Sequence, residues 1–188
     1  DWPQWRGPQR NGIAPKMKDK RRTKWPESVQ ELMVWKKPAG RGFSSSVIAD
    51  GREVTMFYDG GDEVGACFHA KYGDKMWQHR DPVTYDVAGI LDYGKGPRST
   101  PSIDGDLVFS VGANGMMYCL KVTNGEVVWK KDLLDYFDAQ NLRWGVSFSP
   151  LVVDDLVYIM PGGKNDNTIG ALEKTTGKVK WTAMSDGA

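Results

Sequence analysis

The sequence of 188 residues is poor in several features that would indicate particular functions. It has two cysteines, too few for a disulfide-dense scaffold, and 25 lysines and arginines against 24 acidic residues, for a net charge of +1. A charge this close to zero predicts no nucleic-acid partner and no attraction to an anionic membrane. The longest apolar runs are only a handful of residues, such as Leu156 to Met160, so no segment is predicted to span a bilayer. The 22 glycines, 10 prolines and 8 tryptophans instead favour short strands and tight turns.

A repeat organises the chain. The pattern Gly-x-x-x-Trp occurs three times at a spacing of 52 residues. The repeated residues are Gly73 and Trp77, Gly125 and Trp129, and Gly177 and Trp181. An Asp-containing turn signal, and before it a lead-in rich in Ser and Pro, precede each copy. A fixed period of this length is typical of proteins built from stacked structural units.

Within one copy the apolar pattern predicts four short antiparallel strands joined by hairpin turns. In the second copy these strands are residues 100–103, 107–111, 116–121 and 126–131. The middle strands carry apolar residues on both faces, and a single sheet cannot bury both, so the copies are expected to stack around an axis. The sequence therefore predicts an all-β fold, a β-propeller of four-stranded antiparallel blades.

We expect about three blades, at 44–79, 99–131 and 147–182, in a partial propeller that spans 32–188 after an N-terminal extension, 1–31. Residues 32–37 match the final strand of a blade and are expected to belong to a ring-closing blade. Because propellers typically have four to eight blades, we expect the chain to be the N-terminal segment of a longer protein. Its remaining blades would cover the open edge, and an independent three-blade domain is the alternative.

The three copies resemble the repeats of the pyrroloquinoline-quinone-like (PQQ-like) β-propeller superfamily, in which a turn of the type Ala-x-Thr-Gly-x-x-x-Trp closes each blade. Residues 171–181 fit this pattern best, and residues 1–12 resemble the mature N-terminus of many secreted bacterial members. The superfamily contains quinoprotein dehydrogenases and also scaffolds such as the propeller lipoprotein of the outer-membrane β-barrel assembly machinery. The resemblance implies tryptophans that dock against the neighbouring blade. It also implies a periplasmic or secreted bacterial protein from which a signal peptide has been removed.

The two cysteines occupy equivalent places in successive copies. Cys67 and Cys119 are matched by Ala171 in the third copy, which indicates a small buried core position; a disulfide is the alternative. Cys67 and His69 share one face of a strand and could begin a metal site, but His79 is the other histidine and no acidic residue completes the set. We therefore predict no metal site at these residues.

Two turns carry oxygen ligands that calcium could use. They lie at Asp59–Glu63 and Gly162–Asn167, and neither contains a complete calcium loop, so polar hairpin tips are the favoured interpretation. The adjacent cysteine pair that covers the quinone in the dehydrogenases is also missing from this sequence. We expect no cofactor, with PQQ and calcium as the alternative, and we assign no catalytic residue.

The connections between blades are the better candidates for function, because long loops on a rigid scaffold often bind partners. Three arginines precede the first strands of successive blades at comparable offsets, and aromatic and acidic side chains accompany them. The candidate binding residues are Arg41, Tyr85, Asp86, Arg98, Arg143 and Trp144. A set of guanidinium groups could hold a protein partner or a small anionic ligand. The alternative, which we favour, is that the arginines bond carbonyls and aspartates and brace the loops.

The function predicted from these observations is a non-catalytic scaffold that binds a partner through its inter-blade loops. The alternatives are a PQQ- and calcium-dependent alcohol or sugar dehydrogenase and the sensor region of a membrane kinase. The sequence contains no nucleotide-binding loop, zinc-protease helix or nucleophile elbow that would favour another enzyme.

Overall fold

The computed structural model describes residues 1–14 and 27–185. Twelve strands form three sheets, with two short helices in the connections and a 3-10 helix at Val29–Leu32. The elements are β1 Val47–Ala49, β2 Arg52–Asp59, β3 Asp62–His69, β4 Lys75–Pro82, α1 Ala88–Tyr93, β5 Ser102–Asp104, β6 Leu107–Val111, β7 Met116–Lys121, β8 Val127–Asp132, α2 Leu133–Tyr136, β9 Leu151–Val153, β10 Leu156–Ile159, β11 Ile169–Glu173 and β12 Val179–Ala183.

Each sheet is one blade of four consecutive antiparallel strands. Blade 1 contains β1–β4, blade 2 contains β5–β8 and blade 3 contains β9–β12. The predicted all-β fold with three four-stranded blades is confirmed. The turn between β1 and β2 shows why the Asp-Gly signal was informative: Asp50 and Gly51 adopt φ values of 48° and 72°, a region that glycine enters without a Cβ clash.

The blades stack face to face, and the core lies between them. One hydrophobic cluster joins blades 1 and 2, and a second joins blades 2 and 3. Val108 and Phe109, adjacent in β6, belong to different clusters because successive side chains of a strand point to opposite faces. This explains the strands that are apolar on both faces.

The first strands of the blades lie on the inside of the arc, where β1 contacts β5 and β5 contacts β9. The Ser- and Pro-rich segments that precede these inner strands are hydrogen-bonded to one another. The Ser45 N–H donates to Thr100 Oγ1 (3.2 Å), and the Thr100 N–H donates to Ser149 Oγ (3.0 Å). Blade-to-blade hydrogen bonds at the inner end thus repeat with the blades.

The repeated tryptophans dock against the next blade in one recurring geometry. The indole N–H groups of Trp35, Trp77 and Trp129 donate to the carbonyls of Ala70, Val122 and Lys174 at 2.8, 2.8 and 2.9 Å. A glycine follows each of these carbonyls by three residues, and the ring occupies the space that a side chain on that glycine would need. A Cβ at Gly73, Gly125 or Gly177 would lie 2.6–2.8 Å from the ring, and these glycines have φ values of 71°, 74° and 68°. The fourth tryptophan, Trp181, is 39% exposed and docks on no turn among the described residues.

The small residue of each copy is explained by the same geometry. Cys67 pairs with Trp77, Cys119 with Trp129 and Ala171 with Trp181, each beside a shift in strand register. Both cysteines are free and fully buried. Burial raises the pKa of the Cys67 thiol to about 11 and that of Cys119 to about 12, so neither is a reactive thiolate.

The N-terminal part differs from the expectation in one respect. The predicted closing strand, 32–37, forms no ladder, because no strand in the described part of the chain lies beside it. Its place in a ring-closing blade stays a prediction. Trp35 nevertheless docks on blade 1 as the other tryptophans dock on later blades. The predicted extension, 1–31, is described at 1–14 and 27–31, and the rest of it lies outside the described residues. Among the residues that the structure describes, no helix is long and apolar enough to cross a membrane.

Candidate partner-binding surface

The connections between blades meet on one end of the propeller and form a continuous surface, here called the connection surface, at 40–44, 83–101 and 133–150. Residues 40–43 pack on 94–98, where the Phe43 N–H donates to the Pro97 carbonyl (2.9 Å). Gly96 is needed for this approach, since a Cβ there would collide with the Arg41 carbonyl. The first two connections are therefore held together by their backbones.

Helix α1 joins the second connection to the third. A Cβ at Gly89 would collide with the Arg143 carbonyl and with the Trp144 ring, so the helix lies directly on this segment. At the end of α1, the rings of Tyr93 and Trp144 meet edge to face with centroids 4.8 Å apart. Three loops that are far apart in sequence thus present one surface.

This surface exposes large aromatic side chains together with arginines. Phe43, Tyr93 and Trp144 are 58%, 65% and 46% exposed. The Arg98 guanidinium lies 4.8 Å from the centre of the Phe43 ring, and the Arg143 guanidinium lies 5.2 Å from the Trp144 ring. Exposed aromatic and arginine side chains on a rigid support are the residue types that dominate protein interfaces.

The three predicted arginines have different environments. Arg98 donates to the carbonyls of Gly94 (2.8 Å) and Gly96, which is the bracing role that we favoured for these arginines. Arg143 is exposed and stacks on Trp144. Arg41 is also exposed, and its backbone pairs with Tyr58 at the end of β2. Arg41 and Arg143 are therefore the arginines whose charges face the solvent.

Tyr85 lies beneath the surface rather than on it. It is buried, and its hydroxyl donates to Glu63 Oε1 (2.6 Å). The same carboxylate accepts from the Ala113 N–H of blade 2 (3.0 and 3.2 Å to its two oxygens). Glu63 is itself buried, and burial raises its pKa above the ordinary value. The pair connects blade 1, its outgoing loop and blade 2, and so supports the connection surface from below.

Sequence reasoning considered Glu63 a turn ligand and missed this role. A signal existed: at the positions 52 residues further along each time, the repeat has Gly115 and Asn167. An acidic residue at the start of an apolar strand, where the other copies have small or neutral residues, indicates a specific buried partner.

Asp86 is exposed and lines a polar cleft of about 480 Å³. Its lining residues are Asp86, Asn114, Asp132, Leu134, Asp135, Asp138, Ala139 and Asn141. Asp132 already accepts from the backbone N–H groups of Leu134 and Asp135 (3.1 Å each) at the start of α2. Asp86, a candidate binding residue, therefore faces a cleft whose lining is mostly polar and acidic.

The turns considered for calcium have other partners. Arg80 donates to Asp62 (2.6 Å) and to Asp59 (3.2 Å), and Ser185 donates to Asp166 (2.8 Å). Within the described part of the chain, no three His, Cys, Asp or Glu side chains are placed to hold a metal ion. The carboxylates of Asp59 and Asp62 pair with Arg80, and that of Asp166 pairs with Ser185.

The wild-type protein is expected to gain stability relative to Glu63→Gln as the pH falls from about 7 towards about 5. Because burial raises the pKa of Glu63 above 4.5, the folded state binds the proton more tightly than the unfolded chain does. Acidification therefore favours folded wild type and does not act on the glutamine. Urea unfolding of both proteins across this pH range measures the difference. If wild type instead loses stability relative to Glu63→Gln on acidification, the hydrogen bonds from Tyr85 and Ala113 to the carboxylate outweigh the effect of burial.

The fold and repeats define a β-propeller with PQQ-like repeats, and comparison with known proteins agrees. The family model PQQ_2, described as outer membrane protein assembly factor BamB, matches residues 60–188, so the chain belongs to this family. A curated relative, outer membrane protein assembly factor BamB of Kangiella koreensis, is 26% identical over 145 residues, which are 76% of this chain and 32% of the relative. The chain thus spans about a third of the length of this relative.

Two solved structures show the same fold. The crystal structure of BamB from Moraxella catarrhalis has a TM-score of 0.50 and 22% identity, over 74% of this chain and 36% of that one. Quinohemoprotein alcohol dehydrogenase from Comamonas testosteroni has a TM-score of 0.56 and 21% identity, over 76% of this chain and 21% of that one. At such identities the likeness shows the fold and carries no activity to this chain.

Proposed function

We propose that the chain is part of a non-catalytic scaffold that binds a protein partner through its connection surface during outer-membrane protein assembly. The name of the family supports the process. The observation that carries the binding role is the exposed set of Tyr93, Trp144 and Arg143 on loops held rigid by backbone contacts. We place the protein in the periplasm or outside the cell, as the N-terminal resemblance implies, and propose no bound cofactor.

The chemistry of the surface suits an acidic partner with an apolar anchor. Arg41 and Arg143 present exposed guanidinium groups that can pair with carboxylates. The exposed rings beside them supply apolar area with few rotatable bonds, which lowers the entropy lost on binding. A small anionic ligand could use the guanidinium groups but would leave the rings uncovered. A protein partner therefore accounts for more of the surface.

A photo-cross-linker placed at Trp144 tests this proposal in the longest natural form of the protein. We expect a specific cross-link to a component of outer-membrane protein assembly. The matched control is a cross-linker at Lys178, which is exposed in the turn between β11 and β12 at the opposite end of the blades. Equal cross-linking from both positions, or none from Trp144 in a folded protein, would contradict the proposed surface.

Arg143→Ala and Arg98→Ala are expected to separate binding from stability. Arg143 is exposed, so its loss should leave the Tm unchanged but weaken partner binding about tenfold or more, as for an arginine hot spot. Arg98 holds two carbonyls, so its loss should lower the free energy of unfolding by about 1–2 kcal/mol. Thermal unfolding and the cross-link yield from Trp144 measure the two effects. An Arg143→Ala protein that loses stability and keeps its partner would assign Arg143 to structure.

A further inference from the structure

The first twelve residues make contacts that no repeat predicts. Trp2 pairs with Ile48 of β1, donating its N–H to the Ile48 carbonyl (2.6 Å) and accepting from the Ile48 N–H (2.9 Å). One residue later, the Pro3 carbonyl accepts from the Ile103 N–H of β5 (2.8 Å). The Arg10 guanidinium then donates to the Val152 carbonyl of β9 (2.9 Å). The segment therefore bonds the first strand of each of the three blades.

These bonds use backbone groups that the blades leave free. The first strand of a blade has a partner on one side, its own second strand, and an open edge on the other. An open edge presents unpaired N–H and C=O groups and invites pairing with another chain. Residues 2 and 3 bond this inner edge in two neighbouring blades, so the segment acts as an added piece of strand.

The sequence of the segment suits this task. The Trp2 ring folds over Gly7, where a Cβ would lie 2.7 Å from the ring, and Gly7 has a φ of 79°. The turn is closed by hydrogen bonds from the Gly7 N–H to Gln4 (2.9 Å) and from the Arg10 N–H to Gly7 (3.0 Å). Trp2 thus fixes both the pairing with β1 and the turn that brings Arg10 to blade 3.

We propose that the inner edges of β1 and β5 form a peptide-binding groove whose ligand is the chain's own residues 1–12. The class of ligand is an extended peptide in which a Trp-Pro pair is followed by a glycine turn. Trp2 supplies one donor and one acceptor to β1, and Pro3 supplies the acceptor to β5. While this segment is in place, the inner edges are closed to other peptides.

Amide exchange on the full chain tests the groove. In Trp2→Ala we expect the amides of Ile48 and Ile103 to exchange at least about tenfold faster than in wild type, while amides of β2 and β3 keep their rates. The matched control is Trp5→Ala, because Trp5 belongs to the same segment and is exposed. Unchanged exchange at Ile48 and Ile103 in Trp2→Ala, or an equal effect of Trp5→Ala, would overturn the proposal.

A synthetic peptide of residues 1–12 gives a second, independent test. Added to a variant that lacks residues 1–12, it should bind one to one and restore the slow exchange of Ile48 and Ile103. The same peptide with Trp2→Ala or Gly7→Val should fail, and wild-type protein should not bind the peptide because its groove is filled. A folded truncated protein that ignores the peptide would overturn the proposal. If the truncated protein does not fold, the exchange rates of the full-length Trp2→Ala variant decide the question.

Discussion

Trp77→Ala is expected to lower the free energy of unfolding by about 3–5 kcal/mol, the range for removing a large buried aromatic side chain. Trp77 is 7% exposed, lies against Gly125 of the next blade and donates to the Val122 carbonyl. The substitution removes that contact and leaves a cavity between blades 1 and 2 together with an unsatisfied carbonyl. Urea or thermal unfolding of the chain of 188 residues measures the loss.

Trp181→Ala is the matched control, because Trp181 has the same place in its blade and the same pairing with a small residue. It docks on no turn among the described residues, so its substitution should cost about 1 kcal/mol or less. Equal losses for Trp77→Ala and Trp181→Ala would show that the tryptophans act within their own blades. The docking between blades would then contribute little to stability.

Gly125→Ala is expected to cost more than Gly51→Ala by about 2 kcal/mol or more, since overpacking typically costs about 1–3 kcal/mol. Both glycines have φ values in the left-handed region, 74° and 72°, so an alanine is strained at both positions. A Cβ at Gly125 would lie 2.7 Å from the Trp77 ring, whereas a Cβ at Gly51 would meet nothing within 4 Å. The difference between the two therefore isolates the contact with tryptophan.

Chemical denaturation of Gly125→Ala and Gly51→Ala, each against wild type, gives this difference. Equal destabilisation would mean that the Trp77 ring moves aside without cost. Such a result would remove the close approach of the ring as the reason for glycine at this position, and would leave the positive φ as the sole requirement.

The sequence was most informative where structure repeats. Because Gly125 and Trp129 recur with a fixed period, three blades could be predicted without knowing any single tertiary contact. The docking of the tryptophans between blades was implied by the resemblance to PQQ-like propellers. The hydrogen bond between Tyr85 and Glu63 could not be predicted, because the two residues are 22 positions apart and the pair occurs once. Asp86 could be predicted as a candidate only from its place on a long connection, and the polar cleft that it lines has no signature in the sequence.

The contacts of the N-terminal segment could not be predicted from the sequence either. Residues 1–12 were informative as a resemblance, but nothing in their pattern indicated that Trp2 would pair with Ile48. Backbone pairing uses groups that every residue has, so it has no side-chain signature in a segment this short. Of the candidate surface, the loops and their exposed Arg143 and Trp144 could be predicted. The sequence allowed Arg98 either to bind a partner or to brace the loops, and its hydrogen bonds to two carbonyls could be seen only in the structure.

The tryptophan contacts also give the blade array a polarity. Blade 1 places its Trp77 ring on blade 2, and blade 2 places its Trp129 ring on blade 3, so the interface is heterologous and its two sides are not interchangeable. The receiving side of blade 1 is already filled by Trp35 of the same chain, while the offering side of blade 3 exposes Trp181. A ring from another blade can therefore dock on the receiving side of blade 1 only if Trp35 first leaves Gly73.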